Sequence, residues 1–228
     1  MKYLMMGWIL LSPAVIAAAE GKITLLSGEV QITHQKKPLK PKLGMLLKEG
    51  DIIETGKNAK VGVLMNDGSS FHIFQNTQLE IRQASTYFES KGVLSANFVR
   101  KTDKSAWAIK TPVVTAGVRG TSFTVEASAK DTRIVLFKGK VIVKDFVRET
   151  GLPADPNELM QDFLNDVEIN SGTALRWNGT DLRQEKIDLK KEAMQSLHEE
   201  HQQHLKSVTP LDDKGDWKKA AEKLREEK

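Results

Sequence analysis

Between Ser105 and Val143 the chain alternates apolar and polar residues almost without interruption. Trp107 and Ile109 share one parity, and Phe123 and Val125 another. Ile134 with Leu136, then Val141 with Val143, repeat the pattern. Successive strand residues point to opposite faces, so this spacing predicts half-buried strands. Thr111-Pro112, Gly117, Gly120 and Gly139 punctuate the run as turn residues.

The same texture extends back to Gly21. Strands are predicted at Ile23–Leu26, Val30–Thr33, Lys60–Met65, Ser70–Phe74, Leu79–Arg82 and Val93–Val99. Further ones follow at Ala106–Lys110, Ser122–Ala127, Arg133–Phe137 and Lys140–Lys144. Asp67-Gly68 favours a tight hairpin turn between two of them. In Gly50-Asp51 and Asp67-Gly68-Ser69 a side-chain oxygen can bond to nearby backbone. Turn signals recur at about 8–12 residues, the spacing of all-β folds. Residues 20–145 therefore read as one β domain.

After Asp145 the character changes. Residues 146–181 read as a loop through Gly151–Pro156, a short helix over Pro156–Val167 and a closing strand at Ala174–Trp177, ended by Asn178-Gly179. Residues 182–228 are highly charged and read as a helical tail. Ile187, Met194, Leu197 and Leu205 form a thin apolar stripe, enough for a helix lying on a partner or on the sheet. Pro210 ends that helix, and Asp212 or Asp213 caps a second through Trp217 and Leu224.

Residues 1–19 stand apart. Lys2, an apolar stretch from Leu4 to Ala18 and small residues before Glu20 predict a secretory signal cut after Ala19. The expected location is periplasmic or secreted, with no stable membrane anchor after cleavage. The chain has no cysteine, so its stability rests on packing. Its 34 Lys and Arg against 30 Asp and Glu are well mixed, which argues against a nucleic-acid partner.

With the strands laid out, the chain resembles the FecR-domain family. The matching pieces run in order: Gly28-Glu29-Val30; Gly44, Leu46, Glu49-Gly50-Asp51, Ile53 and Thr55; Ala59, Val61, Val63 and Asn66-Asp67-Gly68-Ser69. Asn76-Thr77, Leu79, Gly92, Thr111-Pro112, Gly120-Thr121, Phe123, Val125, Gly139, Val141 and Val143 complete them. The resemblance implies short strands wound as a β-solenoid-like roll; periodicity alone leaves a β-sandwich equally open. It also implies a non-enzymatic binding or signalling module. Transcription-regulating members place a sigma-binding domain and a membrane helix ahead of the β domain. Here a leader is read in that place, so the anti-sigma role is not carried over.

Candidate chemistry is sparse, and no cofactor is expected. Arg119 and Thr121, with Thr111 and Thr115, form a polar cluster in which a guanidinium could meet a carboxylate or phosphate, the plain reading being a turn with a solvated arginine. Ile187, Met194, Leu197, Trp217 and Leu224 are candidate partner-binding residues for an envelope or secreted protein. His198, His201 and His204 lie within seven residues of a helix and form a weak candidate metal set, the plain reading being a solvated polar helix. His34 and His72 read as isolated. An alternative function is cell-wall glycan binding through Trp107 or Trp177 on exposed strand faces. Nothing resembles a nucleophile with its base, so no enzyme is expected.

Overall fold

The structure is a computed structural model that describes residues 19–82, 86–99, 107–145, 167–177 and 182–208. The first eight strands are short: β1 (Ala19–Ser27), β2 (Val30–His34), β3 (Lys37–Leu39), β4 (Leu46–Lys48), β5 (Asp51–Thr55), β6 (Lys60–Met65), β7 (Ser70–Ile73) and β8 (Gln78–Arg82). Three longer ones, β9 (Thr86–Asn97), β11 (Val114–Ala127) and β12 (Thr132–Asp145), flank the short β10 (Trp107–Lys110). Then come β13 (Val167–Asn170), β14 (Thr173–Trp177), β15 (Leu182–Lys186), a 3-10 turn (Leu189–Lys191) and helix α1 (Ala193–Val208). The protein is mainly β with a C-terminal helix, as the alternation predicts.

All these strands join one sheet. Among the described residues every ladder is antiparallel except β9 with β10. The long strands bend and serve two neighbours in turn. Residues 86–91 of β9 pair with β8, while residues 92–97 lie between β7 and β11. The bend falls at Gly92, with φ of 105°; a Cβ there would stand 2.2 Å from Thr77 Oγ1.

Gly120 and Gly139 act differently from expectation. Instead of separating strands, they sit inside β11 and β12, each 14 residues long. Both have positive φ, and the register shifts between Arg119 and Phe123. A positive-φ glycine makes a bulge when both flanking segments keep their ladder partners, and here both do. The Asp67-Gly68-Ser69 turn forms as read, Ser69 N–H donating to Asp67 Oδ1 at 2.8 Å.

The main core uses the inward parity of these strands. Phe71, Tyr87, Phe98, Trp107 and Phe123 pack as one aromatic group, with Phe71 and Tyr87 centroids 4.6 Å apart. Trp107 and Trp177 are 5% and 6% exposed and belong to this core. The exposed stacking faces expected of them for glycan binding are therefore absent.

The predicted helical tail is also partly a strand. β15 pairs along β14 from Trp177↔Leu182 to Thr173↔Lys186. Its exposed Arg183, Gln184, Glu185 and Lys186 suit an edge strand, where charge discourages further pairing. The helix predicted at 156–167 lies outside the described residues except for Val167, which opens strand β13 instead, and Trp217 and Leu224 lie outside them too. Among those described, no helix is long and apolar enough to cross a membrane.

Candidate functional site

One row of residues crosses the outer face of the sheet at right angles to the strands. Ladder register links Leu25 to Gly62, Gly62 to His72, His72 to Ser95, Ser95 to Thr124, Thr124 to Val135 and Val135 to Ala174. Its central members are small or uncharged, although an outer face normally carries Lys and Glu. Helix α1 lies over this row.

The apolar end of the contact joins Met194 to Val135 and Ala174, with Phe137, Ile187 and Leu189 packed around them. Further along, the His198 ring stacks on Phe137 at 4.0 Å and 10°. His201 is 1% exposed and sits between two hydroxyls: Nε2 lies 2.9 Å from Ser70 Oγ and Nδ1 3.0 Å from Ser95 Oγ. His204 Nε2 meets Thr24 Oγ1 at 3.1 Å. A Cβ on Gly62 would lie 2.7 Å from that same nitrogen. The spacing i, i+3 and i+6 thus turns all three histidines toward the sheet.

His72 completes the cluster from below. It is fully buried, stacks on Phe74 at 4.7 Å and lies 5.8 Å in centroid from both His201 and His204. Among the described residues neither of its ring nitrogens has a hydrogen-bond partner, and Nε2 lies 4.0 Å from Glu200 Oε1. Two ion pairs brace the helix. Arg133 grips Glu192 with both Nη atoms, at 2.5 and 2.8 Å, and Lys60 Nζ reaches Glu200 Oε1 at 2.6 Å.

Burial sets the electrostatics. Desolvation pushes His72 and His198 down to about 4, and His201 well below its ordinary value. His204 is also lowered by burial, opposed by the Glu200 carboxylate. The hydrogen bond to Arg133 holds Glu192 below the usual carboxylate range. The seat is therefore a set of neutral imidazoles under a helix, bordered by paired charges.

These positions change several sequence readings. His198, His201 and His204 do not line a solvated helix face, and His72 is not isolated. Hydroxyls and a phenyl ring occupy the helix histidines, and no three His, Asp or Glu among the described residues converge to hold a metal. Met194 is buried on the chain's own sheet and Leu197 is half-buried, so the stripe is spent within the molecule at Met194. Ile187 is half-buried beside it. Thr111, Thr115 and Thr121 are buried, and Thr111 Oγ1 bonds to Thr132 Oγ1 at 2.9 Å. They do not form an open polar surface, and the Arg119 side chain lies outside the described residues.

The missed signal was the outer parity of β6, β7, β9 and β11. Gly62, Ser70, His72, Ser95 and Thr124 avoid charge where a solvated face would carry it. A strand uncharged on both parities is covered on both faces.

No curated protein matches the chain in sequence. Two crystal structures of a candidate anti-sigma factor from Parabacteroides distasonis ATCC 8503, at 1.65 and 2.50 Å resolution, match it at 16% identity with a TM-score of 0.47. Each match covers 60% of this chain and 60% of that one. The FecR protein family model matches residues 51–142, from β5 into β12.

Proposed function

We propose that the protein is an exported, non-enzymatic signalling module that binds another protein of the bacterial envelope, with α1 and the residues after it as the docking element. The FecR match supports a regulatory role. The observation that carries the reading is the use made of the buried polar cluster. Its histidines are spent on seating the chain's own helix, bonded to the hydroxyls of Ser70, Ser95 and Thr24. The opposite helix face, with Ser196, Glu199, Gln203 and Lys206, is exposed for a partner.

A photo-crosslinking residue in place of Gln203, in the full chain in intact cells, tests this. One discrete envelope-protein adduct is expected, lost in a Trp217→Ala/Leu224→Ala variant of unchanged melting temperature. An adduct that survives those substitutions removes the tail from docking. Retention on peptidoglycan with no protein adduct moves the function to the cell wall.

A further inference from the structure

The large hydrophobic side chains that stand exposed among the described residues are Leu39, Leu43 and Leu46, at 37%, 63% and 50%. All three fall within eight residues, from the end of β3 to the start of β4. Their tip is a built turn. Met45 N–H donates to Lys42 O at 3.1 Å, and Gly44 N–H to Ile23 O at 2.9 Å. Leu43 is therefore held out by backbone bonds to β1.

The charge around them has one sign. Lys36, Lys37, Lys40, Lys42 and Lys48 are all exposed, and no acidic residue occurs from Gln35 to Lys48. Glu49 is the one exposed carboxylate next to the segment. Asp51 faces inward, bonded to His34 Nδ1 at 2.7 Å and to Lys48 N–H at 2.8 Å. None of the five lysines has an ion pair among the described residues.

The geometry points to the β3–β4 corner as a contact for an anionic lipid bilayer, with Leu43 and Leu46 entering the headgroup boundary and the lysines facing phosphates. A protein interface would draw on aromatic residues and deplete lysine at its centre, and the corner does neither. Pairing with another strand is opposed at β3, where Pro38 removes a backbone donor at an edge. Ala19, at the start of β1, has Lys48 as its ladder partner, so β1 and the basic corner share one edge of the sheet.

Flotation of the exported soluble protein with vesicles decides the matter. Phosphatidylcholine vesicles containing phosphatidylglycerol are compared with phosphatidylcholine alone. Binding is expected only to the anionic vesicles, and to fall as salt rises. A Lys37→Glu/Lys40→Glu/Lys42→Glu variant should lose on the order of a hundredfold, since each basic residue contributes roughly fivefold. Leu43→Ser/Leu46→Ser should lose binding with all lysines intact. All five sites are exposed, and an unchanged melting temperature keeps the comparison fair. Equal binding to both vesicle types, or to anionic vesicles without the leucines, overturns the proposal. Binding to an acidic polypeptide but to neither vesicle makes the corner a protein contact instead.

Discussion

Gly62 lies where the end of the helix meets the sheet. A methyl group there would meet His204 Nε2 at 2.7 Å and Leu25 Cβ at 2.8 Å. The imidazole can swing away, but only by giving up its 3.1 Å bond to Thr24. Gly62→Ala should cost about 1–2 kcal/mol in denaturant unfolding. Part of that cost should vanish in a His204→Ala background, because the two sites share one contact, while the contact with Leu25 Cβ remains. Additive losses would place the strain elsewhere. His72 poses the opposite case, a buried ring with neither nitrogen hydrogen-bonded among the described residues. Leaving such groups unsatisfied costs about 1–3 kcal/mol. His72→Phe keeps the stack on Phe74, and its melting temperature at pH 7.5 should match or exceed the wild type. A clear drop would mean that the nitrogens are satisfied by water.

At the scale of the element, helix docking depends on imidazoles staying neutral. A histidine held near 4 on the sheet and free at 6.5 off it takes up more protons when the helix is released. Docking strength is therefore fully present above about pH 6.5 and is lost as pH falls toward 4. Between pH 7 and 5.5 the loss is roughly 1 kcal/mol for each well-buried histidine. The facing groups only partly offset it: Glu200 favours protonation of His72 and His204, while Lys60 opposes it at His72. Helix amides should have much lower protection factors at pH 5.5 than at pH 7, once exchange is corrected for its intrinsic pH dependence, with core-strand amides protected at both. Uniform loss of protection would tie the helix to global unfolding. The Arg133–Glu192 pair lies at the helix start, away from the imidazoles. Glu192→Gln should weaken docking by about 1–2 kcal/mol and leave the acid midpoint of release little changed.

For the whole molecule, legibility follows the direction in which information runs. Alternation lies along a strand, so the parities of Trp107, Phe123, Ile134 and Val141 were readable, and so was the hairpin at Asp67-Gly68. β3 and β4 were not, because three-residue strands with mostly exposed side chains show no period. The helix seat runs across strands from residue 25 to residue 174, and no local window contains it. That division predicts what a shortened chain will do. Every member of the main core lies between Ile23 and Trp177. A chain ended after Trp177 should still fold, with a sharp near-ultraviolet spectrum from its aromatic group. It also loses β15 and Met194, leaving Val135, Ala174 and the buried Thr124 and Ser95 open to water. Its melting temperature should therefore fall by several degrees at pH 7. Of the histidines only His34 and His72 remain, and release of the helix no longer contributes. The stability difference between pH 7 and 5.5 should shrink to a small fraction of the full chain's. If the shortened chain keeps the full acid dependence, the titrating groups lie outside the seat. If it fails to fold, the helix and sheet form one cooperative unit, and acid release of the helix would unfold the protein rather than free the helix alone.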